Sequence, residues 1–205
     1  MDAGKLRESY ASKKSEIRKR LAYFRRDKTD DEIFEEFAFC LLTPQSKART
    51  CWESVERLRK KGIIYKGTEK QVRESLVCRF PNNKARFFVE ARQFFLSNLA
   101  EIKTLMNNPM ELREYLVKNV KGYGYKEASH FIRNIGLGSD VAILDRHIIK
   151  NLVKYGALRE EPKSLAGKHY LETEKRMREF SSRIGIPLDE LDLLFWSEEA
   201  GEIFK

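Results

Sequence analysis

Two residues in this chain have the types and setting for covalent chemistry, Lys126 and Asp145. Both lie in the stretch LVKNVKGYGYKEASHFIRNIGLGSDVAILDRH, residues 116–147. Within it, Gly122 and Gly124 permit backbone conformations closed to other residues. They also leave amides uncovered by side chains, and N–H groups at a helix N-terminus attract phosphate. Two helices joined by such a turn can grip a nucleic-acid backbone without reading bases. A tight helix–helix connection explains G-x-G equally well. Lys126 falls in the first turn of the following helix, where a lysine opposes the helix dipole. Its plain role is phosphate binding. Its sharper role is an amine nucleophile, which desolvation and neighbouring positive charge would release from its proton. Asp145 follows the apolar run 141–144, which would tether it in a buried place. It reads as a helix N-cap, and a cap holds its carboxylate still, as a catalytic group requires.

The elements that must position these residues read as helix after helix. Leu6, Tyr10, Ile17, Leu21 and Phe24 recur at helical spacing on a basic N-terminal segment. Thr29 with Glu32, and Thr68 with Gln71, are capping boxes that open helices. Pro44 closes the first of these, and another helix starts near Ser46 and stops at Gly62. Segment 83–98 carries Phe87, Phe88, Ala91, Phe94 and Phe95. Asn108-Pro109 is an N-cap with proline at the first helical position. Later helices cover roughly 167–184 and 188–203. Only 63–65 and 141–144 have strand-like composition, and both are short. The expectation is an all-α protein, a single unit over 1–205 made of two helical lobes. A helix-hairpin-helix motif at about 112–135 would lie near their junction.

Composition narrows the partners. Among 205 residues there are 40 Lys and Arg against 31 Asp and Glu, a net charge of +9. That excess suits a polyanion, nucleic acid foremost, although a solvated basic surface would look the same. No apolar run is long enough to span a bilayer, and no secretory signal is visible, so neither a membrane partner nor secretion is expected. The three cysteines, Cys40, Cys51 and Cys78, form no metal or disulfide pattern, which points to a reducing compartment. Cys40 and Cys51 read as small core residues.

VKGYGYKEASHFIRNIG followed by ILDRH resembles the helix-hairpin-helix DNA glycosylases, whose bifunctional members carry a lysine after the hairpin and an aspartate on a later helix N-terminus. The segments LLTPQSKA (41–48), RFPNNKARF (79–87) and LFWSEEAGEIFK (194–205) are similar to the archaeal-type 8-oxoguanine DNA glycosylase/AP lyases. One departure is V-K-G-Y-G where the superfamily usually has L-P-G-V-G. The resemblance implies that Lys126 attacks the sugar, expels 8-oxoguanine and forms a Schiff base, with β-elimination nicking the strand. Asp145 would stabilise the developing charge and help activate Lys126. Gly122, Tyr123, Gly124, Gln45 and His147 would contact DNA, Gln45 by reaching into the duplex. Trp196 and Phe80 would stack on the flipped base, and the carboxylate of Lys205 would accept hydrogen bonds from it. Arg49, Arg79, Lys84 and Arg86 are candidate phosphate contacts.

By the same resemblance no cofactor is required, and a monovalent cation could bridge hairpin carbonyls and phosphate. The partner would be damaged double-stranded DNA, met by a monomer in the cytoplasm at the nucleoid. Three rival readings remain open from sequence: a glycosylase for another lesion, a non-catalytic DNA-binding module, and an RNA-binding helical protein resting on charge alone.

Overall fold

The computed structural model describes residues 3–205. Among them are eleven helices and no strand. The chain forms two compact units, one of residues 27–131 and one joining the segment up to residue 26 with 132–205. The boundary falls inside one helix, between Phe131 and Ile132.

The 27–131 unit is organised around α2 (Asp30–Leu42), in which every residue from Ile33 to Leu42 is buried. A helix buried on all sides belongs at the centre of a core, here with Glu35 paired to Arg59 at 3.1 Å. The Thr29–Glu32 capping box opens it as the sequence predicts. Around it pack α3 (Ala48–Lys60) and α5 (Pro81–Ser97), and α5 in turn packs on α4 (Glu69–Ser75), opened by the Thr68–Gln71 capping box. The core is aromatic. The Phe37 ring lies 4.9 Å from both Phe95 and Tyr123 and 5.7 Å, edge-on, from Phe131. A short helix, α6 (Leu99–Leu105), follows α5 where sequence showed no separate element. The helix α7 (Pro109–Asn119) has its proline at N1, but the Asn108 side chain makes no cap bond. The next helix, α8 (Tyr125–Asn134), completes the hairpin.

The second unit begins with α1 (Ala3–Arg25), whose Leu6, Tyr10, Ile17, Leu21 and Phe24 are all buried. They pack against α11 (Leu188–Ala200), buried from Leu188 to Phe195. Two buried acids of α11 meet α1 through charge: Arg25 reaches Asp189 at 2.6 Å and Arg18 reaches Glu190 at 3.1 Å. Beside α11 lie α9 (Arg146–Lys154) and α10 (Lys168–Ile184). The C-terminal end of α8 closes on Gly136, at φ +88°. A Cβ there would stand 2.7 Å from Arg25 Cα, so the close approach of the α1 end requires glycine. The last helix stops at Ala200 rather than 203, because Gly201 turns left-handed at φ +75° and ends it.

Candidate active site

The hairpin follows from local chemistry. Gly122 has φ +91°, and a Cβ on it would press within 3.1 Å of Leu41 and Phe87. Among the described residues, the N–H groups of Lys121 and Gly122 donate to nothing, and Gly122 and Gly124 are exposed. Tyr123 is the exception. Its ring is buried on Phe37, its hydroxyl donates to the Phe37 carbonyl at 2.6 Å, and its N–H is spent on Val120. The ring is thus a core anchor and not a face offered to a ligand. An apolar ring beside two glycines is worth more inside than out.

Glu127 organises the α8 N-terminus, and sequence reasoning missed it. Its Oε2 accepts from Gly124 N–H at 3.1 Å, and its Oε1 lies 2.9 Å from Lys126 Nζ. The signal was present: Glu127 sits three residues after Gly124, the place from which a capping-box acid reaches back. The Lys126 side chain is only 25% exposed, and its Nζ also meets the Thr43 hydroxyl at 3.5 Å. The amine is held between a carboxylate and a hydroxyl, partly out of water.

Gln45 and Phe80 occupy two neighbouring turns of the same unit. Both are exposed, and both hold left-handed backbone, at φ 53° and 60°. The Arg79 guanidinium stacks 5.0 Å from the Phe80 ring. Phe80 is 47% exposed, so core packing does not explain it. Arg49, Arg79 and Arg86 are exposed, but Lys84 is not. It is 5% exposed and donates to the Leu42 carbonyl at 2.6 Å and to Ser46 Oγ at 2.7 Å. The expectation that Lys84 touches phosphate is corrected: its ammonium is consumed inside. All three cysteines are buried, and none is in a disulfide.

Asp145 is built differently. The segment 141–144 has strand-like composition but pairs with no strand. Its amides are instead satisfied one by one by buried side chains. Ala142 N–H donates to Glu174 at 2.9 Å, Ile143 N–H to Asp192 at 2.9 Å, and Leu144 N–H to the Tyr170 hydroxyl at 3.1 Å. That hydroxyl donates back to the Ala142 carbonyl at 2.6 Å. Buried backbone groups need partners, and here side chains of α10 and α11 replace a ladder. Burial pushes the Asp192 carboxyl up to about 7, against the pull of Arg133 at 3.5 Å and the Ile143 N–H. The segment delivers Asp145 as N-cap of α9, where Oδ1 accepts from His147 and Ile148 N–H at 2.8 and 2.9 Å. Its Oδ2 takes no hydrogen bond among the described residues. The capping oxygen and the oxygen left open are separate atoms of one carboxylate.

His147 is 30% exposed and lies 3.9 Å from Glu199, so an anion would have to displace that contact. Trp196, on α11, is half-exposed and takes no ring or hydrogen-bond partner among the described residues. Lys205 is 5% exposed, packed rather than frayed. Among the described residues no cluster of three or more His, Cys, Asp or Glu could hold a metal ion, and no helix is long and apolar enough to cross a membrane.

The chain is similar to known proteins in both sequence and fold. Residues 17–186 match the family described as 8-oxoguanine DNA glycosylase. A relative from Fusobacterium nucleatum, named 8-oxoguanine DNA glycosylase/AP lyase, is 44% identical over 204 residues, covering 96% of this chain and 94% of the relative. The crystal structure of the Thermotoga maritima 8-oxoguanine DNA glycosylase superposes with TM-score 0.88 at 31% identity, covering 99% of this chain and 98% of that one. The Methanocaldococcus jannaschii 8-oxoguanine glycosylase/lyase, solved with a 15mer DNA containing 8-oxoguanine, gives TM-score 0.87 at 35% identity, covering 99% of both chains.

Proposed function

Because the chain belongs to the 8-oxoguanine DNA glycosylase family, we propose that it excises 8-oxoguanine from damaged double-stranded DNA and cuts the abasic strand through Lys126. It is a bifunctional DNA glycosylase and AP lyase of base-excision repair. The observation that carries the mechanism is the half-desolvated amine of Lys126 at the hairpin, 2.9 Å from the Glu127 carboxylate.

The lesion must leave the stack before its glycosidic bond can be reached. The open amides of the 120–124 turn hold the backbone phosphates near it, without reading sequence. Gln45 enters the space the base leaves. Trp196 and Phe80 offer faces to the extruded base, and Lys205 accepts its N–H groups. The Lys126 lone pair then forms a bond to the sugar C1′ as the bond to the base breaks and its electrons leave with 8-oxoguanine. The free oxygen of Asp145 stabilises the positive charge on the sugar. The amine gives up its proton, for which Glu127 is the nearest acceptor, and the ring opens to a Schiff base. Loss of a C2′ proton expels the 3′ phosphate by β-elimination. His147 steadies a phosphate; a monovalent cation, where bound, would be held by the hairpin carbonyls of 120–124 and would supply positive charge against the backbone. The enzyme acts as a monomer, at the nucleoid in the cytoplasm.

Borohydride trapping tests this reading. A duplex with one 8-oxoguanine should give a covalent protein–DNA adduct, with none on undamaged DNA. Lys126→Gln should abolish the adduct and slow strand cleavage by on the order of 10³-fold or more, while DNA affinity stays. An adduct surviving in Lys126→Gln would remove the lysine from the mechanism.

A further inference from the structure

Lys84 is a buried lysine that the reaction does not use. Lysines are almost never fully buried unless paired with a carboxylate. Lys84 is 5% exposed, and none of the described carboxylates forms an ion pair with it. Burial pushes its pKa down, and the Lys126 charge acts in the same direction, while the thiols of Cys78 and Cys51 oppose them. A core needing only volume would use leucine or methionine. What this residue supplies is donors. One reaches the Leu42 carbonyl at 2.6 Å and one reaches Ser46 Oγ at 2.7 Å.

Ser46 Oγ is shared. It also accepts the Arg79 N–H at 3.1 Å, so one hydroxyl joins the turn after α2 to the segment before α5. The residue before Ser46 is Gln45, and the residue after Arg79 is Phe80. These are the non-glycine residues with left-handed backbone among those described, at φ 53° and 60°. Such a conformation persists where the surroundings over-determine it, and it gathers at functional sites. The two strained, exposed residues are therefore neighbours of one hydrogen-bonded junction. Lys84, itself on α5, grips that junction from within.

We propose that Lys84 is a positioning residue: through Leu42 and Ser46 it holds the Gln45 and Phe80 turns in one fixed arrangement for receiving the extruded base. The proposal rests on the glycosylase reading above. It separates lesion capture from the chemistry of Lys126. An abasic sugar presents no base to extrude or hold, so its cleavage does not depend on the Phe80 face.

The test compares two substrates. Lys84→Met keeps the stem and removes the donors. Ser46→Ala removes the shared hydroxyl from a half-exposed turn and leaves the core intact. Single-turnover excision is measured on an 8-oxoguanine duplex and β-elimination on a duplex with a preformed abasic site, with thermal melting alongside. Lys84→Met should lose excision by about 10²-fold, the scale of a misplacement near 1 Å. Its abasic-site cleavage should stay within about threefold. Ser46→Ala should show the same split, smaller in size. Equal losses on both substrates, or no loss of excision, would overturn the proposal. If Lys84→Met fails to fold, Ser46→Ala decides alone by the same criterion. A wild-type protein inactive on 8-oxoguanine would instead overturn the glycosylase reading, and this proposal with it.

Discussion

The two candidate catalytic groups both sit at helix N-termini, and the molecule holds them by opposite means. Lys126 stands on a turn made from its own neighbours, with Gly122 left-handed and Glu127 bonding Gly124 three residues back. Asp145 ends a segment whose amides are held by Glu174, Asp192 and Tyr170, 26 or more residues away in sequence. The first arrangement leaves backbone N–H groups open to a ligand. The second leaves none open along 142–144. A nucleophile beside a phosphate grip needs exposed amides, so its scaffold must be short-range. A carboxylate that meets a developing positive charge needs fixed placement, and a buried network supplies that.

The contrast is sharpest at Asp145 itself. Asp145→Asn keeps a capping side chain, so stability should change little, while excision falls by on the order of 10²-fold or more. Single-turnover rates with a parallel denaturation curve measure both. A large loss of stability would mean that the carboxylate serves the fold first.

Asp192 makes the Asp145 scaffold sensitive to pH. Its folded carboxyl is raised from 3.8 to about 7. The folded state therefore holds a proton that the unfolded chain releases. That stability is complete below pH 3.8, declines as pH rises, and is lost above about 7. Against Asp192→Asn, the wild type should lose stability from about pH 4 to 7, by at most about 1.4 kcal/mol per pH unit, then level off. Urea midpoints across that range test it, and a flat difference would refute it.

Tyr170→Phe should leave the Leu144 amide without its partner and cost about 1–3 kcal/mol. It should also slow excision, because the same hydroxyl fixes the run into Asp145. Chemical denaturation and single-turnover rates report the two effects. Glu127→Ala is the matching cut in the hairpin, where the amide it caps is close to water. Its stability cost should be smaller, about 0.5–1 kcal/mol. If it proved costlier than Tyr170→Phe, the division into a short-range and a long-range scaffold would fail.

Much of this was legible in the chain. The capping boxes at Thr29 and Thr68, the Asp145 cap and the glycine hairpin are patterns spanning three or four residues, and each appears where the sequence puts it. The buried face of α1 follows from spacing alone. What the chain did not reveal shares a cause. Lys84 reads as a surface cation, the burial of the Tyr123 ring does not show, and neither do the partners of the 141–144 amides. In each case the deciding partner lies far along the chain: Leu42 and Ser46 for Lys84, Phe37 for Tyr123, and α10 with α11 for the 141–144 run. Residues 201–203 fall outside the last helix because the left-handed turn at Gly201 ends it three residues earlier than the sequence suggests.

The sequence by itself determined the helices, their caps, the hairpin and the positions of an amine and a carboxylate suited to glycosylase chemistry. Those depend on backbone conformation and on side chains within one turn. Only the tertiary structure decided which polar groups go inside. A lysine, a glutamate or an aspartate enters a core when donors or acceptors from distant segments meet it there, and no local pattern records that meeting. Lys84 under the Gln45 and Phe80 turns, and Asp192 beneath the Asp145 segment, are two places where this protein depends on it.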